Sequence, residues 1–125
     1  MNSILNAWIP KNSEVLDLGC GDGSLLASLK NKLNVSGYGV DISEKKIQLS
    51  LSKGLNVIEQ DIDEGLDNFK DASFDIVIMS QSIQALKKPE NALKEIVRIG
   101  KESIVSIPNF ANLKCRAQLA LTGKM

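Results

Sequence analysis

Histidine is absent from all 125 residues of this chain. That absence excludes a Ser–His–Asp triad and a Cys–His nucleophilic pair, and with them most hydrolase chemistry. Cysteine is scarce: Cys20 and Cys115 lie far apart, and two such residues without histidine are too few ligands for a zinc site. Aromatic residues make up 4%, which argues against a surface that stacks bases. Basic and acidic residues balance at 15 each, so no net charge favours nucleic acid or an anionic membrane. No apolar run is long enough to span a bilayer. The first residues, Met1-Asn2-Ser3-Ile4-Leu5, lack the basic start and apolar block of a signal peptide. The expectation is a cytoplasmic chain with no bound metal.

What is present suits one α/β domain over residues 1–125. Hydrophobic residues make up 43%, enough for a core at this length. Five short apolar runs punctuate the chain: Val15–Leu18, Gly37–Val40, Asn56–Glu59, Phe74–Met79 and Ser103–Ile107. The fourth is nearly continuous, as in a strand buried on both faces. Between the runs, apolar residues recur at helical spacing. Leu25, Leu26, Leu29 and Leu33 form one stripe, and Ile47 and Leu51 a second after Ser43, a residue suited to an N-cap. Ala92, Leu93, Ile96 and Val97 form a third behind Pro89. Ser3–Ile9 reads as a short leading helix, and the acidic stretch Ile62–Ser73 as a loop. Phe110, Leu113, Ala117 and Leu121 predict a further helix after Pro108. Alternation of strand and helix predicts a largely parallel sheet of at least five strands with helices on both faces.

Four segments carry the chemistry. In Glu14-Val15-Leu16-Asp17-Leu18-Gly19-Cys20-Gly21-Asp22-Gly23 a strand runs into a glycine turn ahead of a helix. A dinucleotide fingerprint spaces its third small residue one position later than Gly23. Ser24 holds that position here, so the loop suits a ligand without a pyrophosphate. Gly19, Cys20, Gly21 and Gly23 are candidate ligand contacts, Cys20 as a small loop residue rather than a nucleophile. Asp17 either holds the loop or binds the ligand directly. Asp41, with Ile42 beside it, follows the second run 22 residues after Gly19, the place of an acid that accepts from ribose hydroxyls. Asp61 and Ile62 follow the third run, placed to meet an adenine amino group and ring edge. Ser80 opens Ser-Gln-Ser-Ile-Gln-Ala after the fourth run, where ligands of open α/β sheets bind.

Together these segments resemble the class I S-adenosylmethionine-dependent methyltransferases, and within them the methionine biosynthesis protein MetW family. The likeness rests on Val15 through Gly23, on Asn56 through Leu66, on Phe74 through Ala85, and on Ile104-Val105-Ser106-Ile107-Pro108-Asn109-Phe110. The resemblance implies a Rossmann-like methyltransferase fold of strand order 3-2-1-4-5, in a chain that is the N-terminal part of a longer one. It implies S-adenosylmethionine as cofactor, with Asp17 at its amino-acid end, and S-adenosylhomocysteine as the product of any methyl transfer. It also implies a role in methionine biosynthesis beside homoserine O-acetyltransferase. Two readings stay open: a cofactor-binding partner of that acyltransferase, or an active methyltransferase on an unknown small acceptor. A nicotinamide dehydrogenase is disfavoured by the glycine spacing.

Overall fold

The computed structural model describes residues 7–82, 85–107 and 111–116, which form one six-stranded sheet of order β3-β2-β1-β4-β5-β6. The strands are β1 (Glu14–Leu18), β2 (Ser36–Asp41), β3 (Asn56–Glu59), β4 (Phe74–Ser82), β5 (Gly100–Ile107) and β6 (Ala111–Arg116). The first five are mutually parallel, in the expected order 3-2-1-4-5. Helices α1 (Ser24–Leu33), α2 (Glu44–Ser52) and α3 (Pro89–Ile99) form three of the four crossovers, and β3 connects to β4 without an α-helix. Ala7 and Trp8 are helical, in keeping with a leading helix; residues 3–6 lie outside the described part.

Side chains alternate across a strand, so the apolar runs of the central strands divide between two cores. Val15, Ile76, Ile78 and Ile104 face α1, where they meet Leu26, Leu29 and Leu33. Leu16, Leu18, Val77, Met79 and Val105 face the other way and meet Ala92, Ile96 and Ile99 of α3. Burial on both faces is why these strands read as apolar runs rather than as polar–apolar alternation.

Local signals fix the helix starts. The Ser43 hydroxyl accepts from Lys46 N at the head of α2, as expected of an N-cap. Pro89 occupies the first turn of α3, where its missing N–H costs nothing.

Three expectations need correction. Helix α2 does not sit on an apolar stripe: Leu51 is 51% exposed, Leu49 is 45% exposed, and the fully buried residue is Ser50. The Ser50 hydroxyl donates to Gly21 O at 2.9 Å, so this helix is anchored by a polar bond into the glycine turn. On α3, Leu93 is 40% exposed while Ala92, Ile96 and Val97 are buried. The helix expected from Phe110 onward is not what residues 111–116 form. They make β6, antiparallel to β5 from Ile107↔Ala111 to Glu102↔Arg116. An unpaired strand edge leaves a row of backbone donors and acceptors unbonded, and pairing them outweighs a weak helix propensity. Phe110, Ala117 and Leu121 lie outside the described residues.

The stretch 62–73 is irregular, as expected, with a 3-10 turn at Ile62–Glu64. It nevertheless delivers Leu66 (0% exposed) and Phe69 (9%) to the α3-side core.

Candidate functional site

Because β1 to β5 are parallel, their carboxyl ends share one edge of the sheet. The strand order reverses between β1 and β4, and crevices at such a point bind ligands in open α/β sheets. Gly19–Gly23 and Asp61–Ile62 follow strands at that edge, Asp41 closes β2 with Ile42 after it, and Ser80 lies near the end of strand β4. The fold therefore brings together all four segments singled out in the sequence.

The glycine turn is built on left-handed backbone. Gly19, Gly21 and Gly23 have φ of 72°, 59° and 83°, a region costly for residues with a Cβ. Gly21 and Gly23 differ in what surrounds them. A Cβ on Gly23 would lie 2.5 Å from Leu55 Cδ1 and 2.8 Å from Ser50 Oγ, so packing alone demands glycine there. A Cβ on Gly21 would meet no protein atom within 4 Å. Its bare face is turned to open space beside the turn, the arrangement that lets a ligand approach the backbone closely.

The turn's amides are already committed. Gly19 N and Cys20 N donate to Val40 O at 2.7 and 2.9 Å, and Gly21 N donates to Asp41 Oδ2 at 2.8 Å. Asp41 Oδ1 accepts from Ile42 N at 2.8 Å and Ser43 N at 2.9 Å. A carboxylate offers about four acceptor positions; three are taken by backbone amides, and one on Oδ2 is left for a ribose hydroxyl. Asp41 is thus a brace of the glycine turn with an acceptor position to spare. Ile42 beside it is 62% exposed, an apolar surface on which a flat ring can lie.

Asp17 does not hold the turn. Its side chain is 1% exposed, and neither carboxylate oxygen has a hydrogen-bond partner among the described residues. Burial, followed by the nearby Asp41 charge, pushes its carboxyl up to about 7. A buried acceptor without a donor costs free energy. A cationic donor such as the ammonium group of an amino acid would satisfy both oxygens.

Cys20 is buried with its Sγ 3.9 Å from Ser50 Oγ. Burial, with Asp17 next, pushes the thiol up to about 11, so it is no nucleophile at neutral pH. Its side chain fills the space left by Gly39, where a Cβ would stand 2.6 Å from the sulfur. Asp61 caps the 3-10 turn, accepting from Asp63 N at 2.9 Å, and Ile62 is half-buried against the α3-side core. Ser80 belongs to β4 rather than to a loop after it. The β4–β5 register is interrupted between Met79 and Ser82, an irregularity of the kind that re-aims residues beside sites.

Five supporting residues escaped the sequence reading. Ser50 bonds the glycine turn from α2, and Lys53 Nζ donates to Asp22 O at 2.7 Å. Gln60 and Asn68 exchange a pair of amide bonds at 2.8 and 2.9 Å. Arg98 donates to Phe69 O at 2.8 Å and Leu66 O at 3.0 Å. A polar residue in a helix or acidic loop carries no periodic signal of such a role. Only the weak oddity of a serine inside the apolar spacing of α2 could have pointed to Ser50.

A parallel 3-2-1-4-5 sheet, a glycine turn after β1 and an acid closing β2 define the class: a Rossmann-like methyltransferase-fold domain. The particular family is equally plain. The model of the methionine biosynthesis protein MetW family matches residues 2–125, and the chain belongs to that family.

A bifunctional methionine biosynthesis protein MetXA/MetW of Rhodopirellula baltica is 35% identical over 124 residues, covering 93% of this chain and 20% of the relative. A solved S-adenosylmethionine-dependent methyltransferase of Thermotoga maritima, described as a possible histamine N-methyltransferase, shares 29% identity at a TM-score of 0.70. That match covers 83% of this chain and 48% of the other. The human mitochondrial arginine-hydroxylase NDUFAF5 is 31% identical over 121 residues, 91% of this chain and 35% of the relative. The chain thus spans about a fifth of the bifunctional relative and about half of the solved methyltransferase.

Proposed function

We propose that this chain is an S-adenosylmethionine-binding domain that acts with homoserine O-acetyltransferase in cytoplasmic methionine biosynthesis. The observation that carries the cofactor reading is Asp17, a buried carboxyl in β1 two residues before the glycine turn, with no hydrogen-bond partner among the described residues. It fits the ammonium group of the cofactor's amino-acid end. Around it, Gly21 leaves backbone open to close approach, Asp41 Oδ2 keeps one acceptor for a ribose hydroxyl, and Ile42 and Ile62 offer apolar surface to the adenine. Asp61 would accept from the adenine amino group, and Gly19, Cys20, Gly23 and the Ser80 segment would border the ligand through the turn and strand that they build. When bound, S-adenosylmethionine supplies an electrophilic methyl group; the protein's part is to hold it and exclude water.

The acyltransferase partnership is supported by the bifunctional MetXA/MetW relative, in which the two names are joined in one protein. The second reading, methyl transfer by the chain itself, is favoured by the likeness to solved methyltransferases. A relative with a hydroxylase name shows that the domain alone does not settle the reaction.

Calorimetry with S-adenosylmethionine and with NAD tests the cofactor: binding of the first and not the second is expected, and tight NAD binding would overturn the assignment. Co-purification with homoserine O-acetyltransferase, and acetyl transfer measured with and without this protein, test the partnership. No association and no change in rate would refute it. Labelled-methyl transfer in cell extract tests the second reading.

A further inference from the structure

We propose that Asp63 is a positioning residue that ties the adenine side of the cleft to the segment between β4 and α3. This rests on the cofactor site proposed above. Asp63 Oδ1 accepts from Lys87 N and Lys88 N at 3.1 Å each, and Oδ2 accepts from Lys87 N at 3.2 Å. These amides stand at the head of α3, whose N-cap, Lys88, makes no side-chain cap bond of its own. Pro89 follows and has no N–H. The capping oxygens therefore come from a carboxylate 25 residues upstream, acceptor-only and well placed against the positive end of the helix.

Asp63 is itself held from the ligand side. Its N–H donates to Asp61 Oδ1 at 2.9 Å, and Ile62 stands between the two acids. A chain of hydrogen bonds thus runs from the residue assigned to the adenine amino group, through Asp63, to Lys87. Lys87 stands five positions after Ser82, the last residue of β4, so the tie fixes the chain a short distance beyond the strand. Packing does not close this junction by itself: a cleft of about 190 Å3 opens there, lined by Ile62, Asp63, Glu64, Lys88, Asn91 and Glu95 among others. The carboxylate is the polar tie across it.

In the site proposed above, Asp41, Ile42, Asp61 and Ile62 hold the adenosine half of the ligand, and the Ser80 segment borders the rest of it. Losing the tie is therefore expected to weaken a ligand with both halves more than one with adenosine alone. The test compares S-adenosylhomocysteine and adenosine by calorimetry on wild type, Asp63→Ala and Asp63→Asn, with thermal melting alongside. Asp63→Ala is expected to weaken S-adenosylhomocysteine roughly three- to tenfold and adenosine less than about twofold. Asp63→Asn keeps an oxygen for Lys87 N and Lys88 N and is expected to restore most of the loss.

A drop in melting temperature with the affinity ratio unchanged would show a helix cap and nothing more, and would overturn the proposal. Equal weakening of both ligands would overturn it too. No binding of S-adenosylhomocysteine to wild type would overturn the cofactor site itself, a result distinct from either.

Discussion

The turn after β1 and the segment after β3 both stand at the carboxyl edge of the sheet, the first rich in glycine and the second in acid. They are held in different ways. The turn is pinned by backbone amides: Gly19 and Cys20 to Val40 O, Gly21 to Asp41. Its conformation follows from three left-handed glycines placed close together in sequence. Residues 60–72 have long-range backbone bonds at their two ends, Gln60 N to Asp41 O and Ala72 N to Arg98 O. Between those ends the longer ties come from side chains, some of them reaching far along the chain: the Gln60–Asn68 amide pair, the Asp63 carboxylate on Lys87 N and Lys88 N, and Arg98 on the carbonyls of Leu66 and Phe69. A turn built from backbone geometry leaves a motif; a segment built from distant polar bonds does not.

The largest effect that would sharpen this contrast concerns Asp17, the acid in front of the turn. Its carboxyl is raised from 3.8 to about 7 by burial and then by Asp41. The folded protein keeps a proton there that the unfolded chain releases above 3.8. This group's contribution to stability is thus full below about pH 4, falls as pH rises towards 7, and levels off beyond. Asp17→Asn is expected to remove that decline, a difference on the order of 4 kcal/mol between the two profiles. Denaturant melts of both proteins from pH 4 to 8 check it, and parallel profiles would show that Asp17 ionises normally.

Gly23→Ala comes next. The added Cβ meets Leu55 and Ser50 in a left-handed position, and a loss of about 2–4 kcal/mol in unfolding free energy is expected. Asp41→Ala leaves three amides without their acceptor and is expected to cost on the order of 1.5–3 kcal/mol. It should weaken S-adenosylmethionine as well, by calorimetry; a destabilised protein with unchanged affinity would leave Asp41 a brace only.

The smallest expected effect tests the second region. Arg98→Ala removes the bonds to Leu66 O and Phe69 O, and a loss of about 1–2 kcal/mol is expected. Its partner Asp71 is 80% exposed, so Asp71→Ala should change stability little. Hydrogen exchange in residues 62–72 should rise in the Arg98 variant while the glycine turn stays protected. Equal loss of protection in both would break the distinction between them.

The sheet was legible because each of its first five strands is an apolar run long enough to cross a two-sided core, and β2, β3 and β4 begin where their runs begin or within a residue. Misreadings came where polar bonds or edge pairing decide. Leu51 shares a helical stripe with Ile47, yet α2 is seated by Ser50, because a hydroxyl that can reach Gly21 O leaves no need for a second apolar contact. The helical spacing of Phe110 and Leu113 was overruled at residues 111–116 by the open edge of β5.

The sequence by itself determined the glycine turn, the acids at the ends of the second and third apolar runs, and the alternation of strand and helix that makes a parallel sheet. Each of these depends on local backbone preference or on periodic burial, which act over a few residues and leave a pattern. Only the tertiary structure decided that Asp17 is buried with no partner among the described residues, that Asp41 braces the glycine turn through three backbone amides, and that Asp63 and Arg98 fasten the acidic segment to α3. Those outcomes depend on which distant groups arrive within about 3 Å of one another, and one-dimensional spacing carries no record of that distance.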